Sequence, residues 1–391
     1  MDIVLQNGSV LVDDQLRKGM DVHIDSGRIF RIIPGGRGVP SAQNVIDVSD
    51  HYVLPGFIDL HAHGIGDVLA EEGDLVRFAE IEASFGVTAC LPTFFSSPER
   101  TITNLKRALE KTDGLKKCPS VLGFRLEAPY ISKTGAGHLE DLAPISPETT
   151  CALYEVSQGK IRIWDVSPEK ENAIEFIEFA TSKGIVTSLA HTSATVEEVK
   201  RAIEAGLSLV THFYDTFDLP VETDPGVYPA GLTDYIQIED RLTVEIVADG
   251  VHVHPHLVEK TLRCKGLDRV IFVTDSQLGA GYPPGIHTLP NGERVEITPD
   301  RGARRLSNGE LFGSAITQLQ SFRNAINLFG RTIPEASRLC SRTPAKVLGL
   351  SGKGYLAEGM DADIIVLDKD LNVRYTIIGG RIAYSCCRSQ A

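Results

Sequence analysis

Residues 55–67 read PGFIDLHAHGIGD. An apolar run broken only by Asp59 ends directly in His61 and His63. If the run is a strand, side chains alternate faces, so Asp59, His61 and His63 share one side. Two imidazoles side by side at the end of an apolar strand are costly unless something binds them. A divalent metal suits their chemistry.

Working outward, seven more apolar, β-branched runs follow: GVTACLPTFF, VLGFRLEAPY, KIRIWDVSPE, GIVTSLAHT, LSLVTHFY, TVEIVADGVHV and RVIFVTDSQ. Between most of them lie stretches such as DLVRFAEIEASF, PERTITNLKRALEK, EKENAIEFIEFATSK and TVEEVKRAIEAG, with apolar residues at helical spacing. Continuous apolar strands alternating with helices predict an α/β fold with a parallel sheet. Eight such units over roughly 250 residues predict a (β/α)8 TIM-like barrel. An open doubly wound sheet would usually carry a Gly-rich phosphate turn after an early strand, and none is present.

The two ends differ from the middle. DIVLQNGSVLV, GMDVHIDSGRIFRII and NVIDVSDHYVL are short strand-like runs broken by turns, and the tail DADIIVLDKDLNVRYTIIGGRIAY resembles them. The expected organisation is residues 1–53 and 349–391 forming one small β-domain from both termini, around a barrel at residues 54–348.

In such barrels the chemistry sits at the C-terminal strand ends. There the sequence places His61 and His63, Glu127, His191, His212, Asp249 and Asp275. A lone strand-end histidine is usually structural, but this many candidate ligands at one end of one barrel form a constellation. Imidazole and carboxylate donors suit Zn²⁺, Fe²⁺, Mn²⁺ or Co²⁺. One or two ions are expected, zinc first, because four histidines, Glu127 and Asp275 exceed a single tetrahedral site. His61 and His63 would hold one ion, His191 and His212 the other, with Glu127 between them. The fourth strand offers no lysine near its end to bridge instead. Asp275, besides its place in the ligand set, is expected to be the general base that takes a proton from water and hands it to a leaving amine. That describes hydrolysis of an amide-like bond. In the tract HVHPH, His252 is expected to reach a substrate, whereas Pro255 opens a helix that leaves His254 and His256 at the surface. Cys90 and Trp164 read as core.

Composition narrows the partners. The formal net charge is −13 and there is no basic stripe, so nucleic acid and anionic membrane surfaces are not expected. No apolar run is long enough to span a bilayer. Seven cysteines without a CxxC, the pair Cys386 and Cys387 included, and an N-terminus unlike a secretory signal, predict reduced thiols in a cytoplasmic protein.

The residues just described sit in motifs that resemble the amidohydrolase superfamily, and within it the N-acetylglucosamine-6-phosphate deacetylases. The likeness runs in order through PGFIDLHAHG, RLEAPYIS, GAGH, AHTSAT, THFYDTF, IVADGVHVHP, VTDS, GELFGSAITQ and the tail KGYLAEGMDADIIVLD. The resemblance implies a homodimer, a barrel with a β-sandwich of both termini, and a divalent-metal deacetylase releasing acetate from an N-acetyl amino sugar. By position it makes Glu127, His191 and His212 the main metal ligands, and His61 and His63 a second site. It makes Asp275 the catalytic acid/base, His138 the residue that polarises the acetamide carbonyl, and His252 a substrate contact. The rival readings are another N-acyl compound or a cyclic amide as substrate, a deaminase, and a non-catalytic relative. LExP argues against the deaminase, and the intact ligand set against the last.

The departures concern the substrate. RLEAP replaces the usual HLEGP, and HFYDTF replaces HLFNAM or HLYNAM, which puts Asp215 and Thr216 on the side where the family holds phosphate. Thr223 stands where some members carry an arginine. Residues 213–226 hold Asp215, Asp218, Glu222 and Asp224 and no Lys or Arg. A substrate without a 6-phosphate is therefore expected. Arg125, on the inward face with Glu127, is the one cation expected nearby.

Overall fold

The computed structural model describes residues 1–36, 42–221, 223–227 and 229–386. Glu222 and Cys387 lie outside them.

Eight parallel strands run in chain order: Phe57–Ala62, Val87–Phe94, Phe124–Leu126, Ile161–Val166, Val186–Leu189, Leu209–Val210, Thr243–Val247 and Val270–Val273. Each of the eight apolar runs supplies one. A bridge between Ala62 and Ser276 brings the first strand against the end of the eighth. The first and second strands are buried at every position, as parallel strands covered on both faces must be. The helices start where capping chemistry allows. The Asp74 carboxylate accepts the Val76 and Arg77 amides at the start of Leu75–Ser84, and Thr195 with Glu198 forms a capping box on Val196–Ala205.

The terminal segments share one sheet. Its order is Arg381–Ser385, Val373–Ile378, Ile364–Leu367, Tyr52–Pro55, Ile3–Val12, Gln15–Asp25 and Arg28–Pro34, with Asn44–Asp47 also pairing on Ile3–Val12. Alternation divides its faces. Val53, Ile364 and Val366 enter the sheet's own core, whereas Leu54, Ile365 and Leu367 pack into the barrel's.

A third sheet was not legible beforehand. Gly285–Thr288, Arg294–Thr298 and Gly302–Arg305 form an antiparallel trio after the eighth barrel strand. Its strands are short and mostly polar, and its small core of Leu289, Val295, Ile297, Ala303 and Phe312 carries little periodicity. It places Arg305 and the following turn at the barrel mouth. No helix among the described residues is long and apolar enough to cross a membrane.

Candidate metal centre and active site

The candidate ligands sit at or one to two residues past their strands, all at the same end of the barrel. Three of them leave the strand in the left-handed backbone region: His191 (φ 45°), His212 (φ 23°) and Asp275 (φ 47°). Non-glycine residues rarely adopt it, and such strain gathers at functional sites.

One carboxylate organises the cluster. Glu127 Oε2 lies 3.3 Å from His61 Nε2 and 2.9 Å from His63 Nε2. Its Oε1 lies 2.9 Å from His191 Nε2 and 3.1 Å from His212 Nε2. The two oxygens thus sort four imidazoles into two pairs. Both His61–His63–Glu127 and Glu127–His191–His212 bring their donor atoms within 4.8 Å of one another, all buried. Asp275 Oδ1 approaches His63 Nε2 at 3.3 Å and His61 Nε2 at 3.5 Å.

This arrangement fits a cation. His61 Nε2 and His63 Nε2 face each other at 3.2 Å, a contact of two lone pairs unless a proton or metal intervenes. Burial alone would lower the histidine pKa values. Asp275 and Glu127 override it and push His63 up to about 10, and Glu127 does the same for His212. Burial likewise opposes the ionised carboxylates. Contact with His61 and the other imidazoles nevertheless holds Glu127 well below the usual range, and His61 and His63 do so for Asp275. The chain draws positive charge into this place, and a dication meets the same demand.

The cluster floors a cavity of about 560 Å³. His138, Asp215, Thr216 and His252 line it. Gly135, at φ +54°, brings the His138 loop onto His191, where a Cβ would meet the ring at 2.8 Å. Asp249 Oδ2 receives His252 Nδ1 at 2.6 Å. Burial opposes charge on His252, but Asp249 raises its pKa. His254 and His256 stand outside the cavity, at the start of the helix Pro255–Lys265.

Two expectations about substrate residues change. Arg125 does not reach the cavity. A residue two positions before Glu127 on the same face lies about 6.6 Å deeper in the barrel. There it is fully buried, and each of its five N–H donors is taken. Nε and Nη2 bind Asp165 Oδ2 (3.3 and 3.0 Å), Nη1 binds Glu245 Oε1 (2.7 Å) and the Leu60 carbonyl (3.2 Å), and Nη2 binds Thr211 Oγ1 (2.8 Å). Nor is it the cation nearest a substrate. Arg100 and Arg305 line the cavity, from the helix Pro98–Thr112 and from the third sheet. Neither had a strand-end signal. Arg305 precedes the quoted GELFGSA motif closely, and that proximity was the available clue. Of the acids in residues 213–226, Asp215 lines the cavity, whereas Asp218 and Asp224 are exposed. Asp218 pairs with Lys133 at 2.7 Å. Thr223 is exposed and outside the cavity lining.

Comparison with known proteins agrees with this geometry. The amidohydrolase family model matches residues 52–383. The chain is 30% identical over 391 residues to the N-acetylglucosamine-6-phosphate deacetylase of Lysinibacillus sphaericus, covering 98% of each chain. It is 32% identical over 351 residues to the N-acetylgalactosamine-6-phosphate deacetylase of Escherichia coli, covering 88% of this chain and 91% of the other. Among solved structures, the N-acetylglucosamine-6-phosphate deacetylase of Pasteurella multocida superposes with a TM-score of 0.85 at 28% identity, over 97% of this chain and 99% of that one.

Proposed function

The chain belongs to the amidohydrolase family, and from that premise we propose that it is a metal-dependent deacetylase of N-acetyl amino sugars, releasing acetate and the free amine. The observation that carries this reading is the single Glu127 carboxylate shared between two histidine pairs, with Asp275 beside it on the cavity floor.

His61, His63 and Glu127 would hold one divalent ion, and Glu127, His191 and His212 another, with Asp275 at the edge of the first. Zinc comes first on the imidazole-rich donor set. When bound, the metal supplies Lewis-acid activation of the attacking water and the acetyl carbonyl. Asp275, kept ionised by its histidine neighbours, accepts the proton from that water and delivers it to the departing nitrogen. His138, on the exposed wall, is assigned to the acetyl oxygen. His252, aligned by Asp249, takes the sugar end, where Asp215 and Thr216 accept and donate hydrogen bonds to hydroxyls. The resemblance to the family supports a homodimer.

The same wall argues against a 6-phosphate. Asp215 faces the cavity, and the cations that line it already hold carboxylates: Arg100 has Glu72 and Asp141, both at 3.4 Å, and Arg305 has Glu293 at 3.4 Å. A carboxylate 4 Å from one phosphate charge opposes binding by about 4 kcal/mol at an effective dielectric of 20, and the monoester carries nearly two charges. The test is kcat/KM for acetate release from N-acetylglucosamine and N-acetylgalactosamine, each with and without 6-phosphate. The unphosphorylated sugars are expected to win. A preference above about tenfold for the phosphorylated forms, ~1.4 kcal/mol, overturns the second part. No acetate from any of the four overturns the first.

A further inference from the structure

Below the metal cluster lies a layer of three charged side chains with no exposed surface: Arg125, Asp165 and Glu245. The reaction described above gives them no task. Their charges do not close, because one guanidinium meets two carboxylates. An excess negative charge buried this deeply needs a further donor.

Two carboxylate oxygens of the layer lack a hydrogen-bond partner, Asp165 Oδ1 and Glu245 Oε2, and among the described residues only the second has an imidazole nitrogen within 4 Å. Arg125 spends all five N–H groups and takes Glu245 by Oε1 alone, at 2.7 Å. Glu245 Oε2 is buried with no hydrogen-bond partner. It faces His61 Nδ1 at 3.6 Å, and that nitrogen is also buried without a partner. A shift of roughly half an ångström brings the pair into hydrogen-bond range. Nδ1 of His191 and of His212 is likewise buried and unpartnered, but among the described residues neither has a carboxylate within 4 Å.

We infer that Glu245 is a positioning residue for His61: anchored by Arg125, it takes the Nδ1–H and leaves Nε2 as the electron-pair donor toward the His61–His63–Glu127 site. A carboxylate behind a ligating imidazole fixes its tautomer and ring orientation and raises its basicity. The histidine pair on Glu127 Oε1 lacks this support. The two cation sites are therefore unequal, and the one built on His61 and His63 is specifically reinforced. This rests on the metal reading of the cluster but not on the identity of the substrate.

Glu245→Gln and Asp165→Asn make a matched pair. Each leaves Arg125 with one carboxylate and changes no volume, but only the first removes the group facing His61. The purified protein is loaded with zinc, its zinc content measured by elemental analysis, and zinc release followed with a chromogenic chelator. The wild type is expected to hold two equivalents. Glu245→Gln is expected to release one of them about 10–100-fold faster, or to lose it on dialysis. Asp165→Asn should release both at the wild-type rate. If Glu245→Gln does not fold, Glu245→Asp is read instead, which keeps the charge but shortens the reach, and one equivalent should again leave faster. Equal release from the Glu245 and Asp165 variants overturns the inference. So does a wild type with a single equivalent that survives His61→Asn. A protein that holds both ions in this unequal way but deacetylates no sugar would overturn the proposed function and leave this inference standing.

Discussion

Asp249 grips His252 at two points: its Oδ2 receives the ring Nδ1 at 2.6 Å, and its Oδ1 accepts the His252 backbone amide at 2.9 Å. The ring is thereby held in place at the cavity wall. His252→Asn is expected to raise KM about tenfold with little change in kcat, the signature of lost uniform binding. Asp249→Asn, which loosens the ring without removing it, should raise KM less. Steady-state kinetics decides. A fall in kcat at unchanged KM would move His252 into the chemistry.

Asp275→Asn removes the proton acceptor and keeps the shape. A loss of 10²–10⁴-fold in kcat is expected, with KM changing far less and zinc content held. Turnover near the wild-type level would assign the proton transfer to another group.

Stripping the metal should act on stability as well as rate. A chelator such as dipicolinate is expected to abolish acetate release, and added zinc to restore it. An ion present at 100 times its Kd stabilises the fold by about 2.7 kcal/mol per site, so calorimetry should show a lower Tm for the stripped protein. Full activity after exhaustive chelation would remove the metal from the reaction.

Glu82 gives a prediction about pH. It sits on the buried face of Leu75–Ser84, with both carboxylate oxygens lacking hydrogen-bond partners. Burial, and then the Asp59 charge, pushes its pKa well above the usual range. The folded form therefore keeps a proton that the unfolded chain gives up near pH 4.3. Stability is intact below that value and falls as pH rises toward the folded pKa. Glu82→Gln keeps the shape without the titration. It should raise Tm at pH 8 and do so less at pH 5. A larger gain at pH 5 than at pH 8 would contradict this.

What could be read beforehand followed from periodicity. Strand alternation alone put His61 and His63 on one face, and the stopping point of each apolar run found Glu127, His191, His212 and Asp275. Depth could not be read the same way. Arg125 and Glu127 share a face, yet one floors the cavity and the other lies a layer beneath it, and only the Asp165 and Glu245 side chains from other strands reveal that. An acid within an apolar strand reads in the sequence as an interruption of the run, and only its partner in the folded barrel shows what it binds. Arg100 and Arg305 escaped for a different reason. A helix start and a short polar sheet bring them to the mouth, and neither leaves a periodic trace.

The strand Ile364–Leu367 is inserted between Val373–Ile378 and Tyr52–Pro55, with Ile364 opposite Pro55 and Leu367 opposite Tyr52. On the ribosome, Tyr52–Pro55 emerges first and its partner follows about 300 residues later. At roughly 5–20 residues per second the gap is some tens of seconds. For that time the edge of Tyr52–Pro55 has bare amides and carbonyls, and Leu54 has only part of its eventual cover. The barrel must largely assemble while this seam is open. The nascent chain therefore carries an unpaired strand edge through most of its synthesis, and a message cut short before residue 364 would yield a chain whose seam never closes.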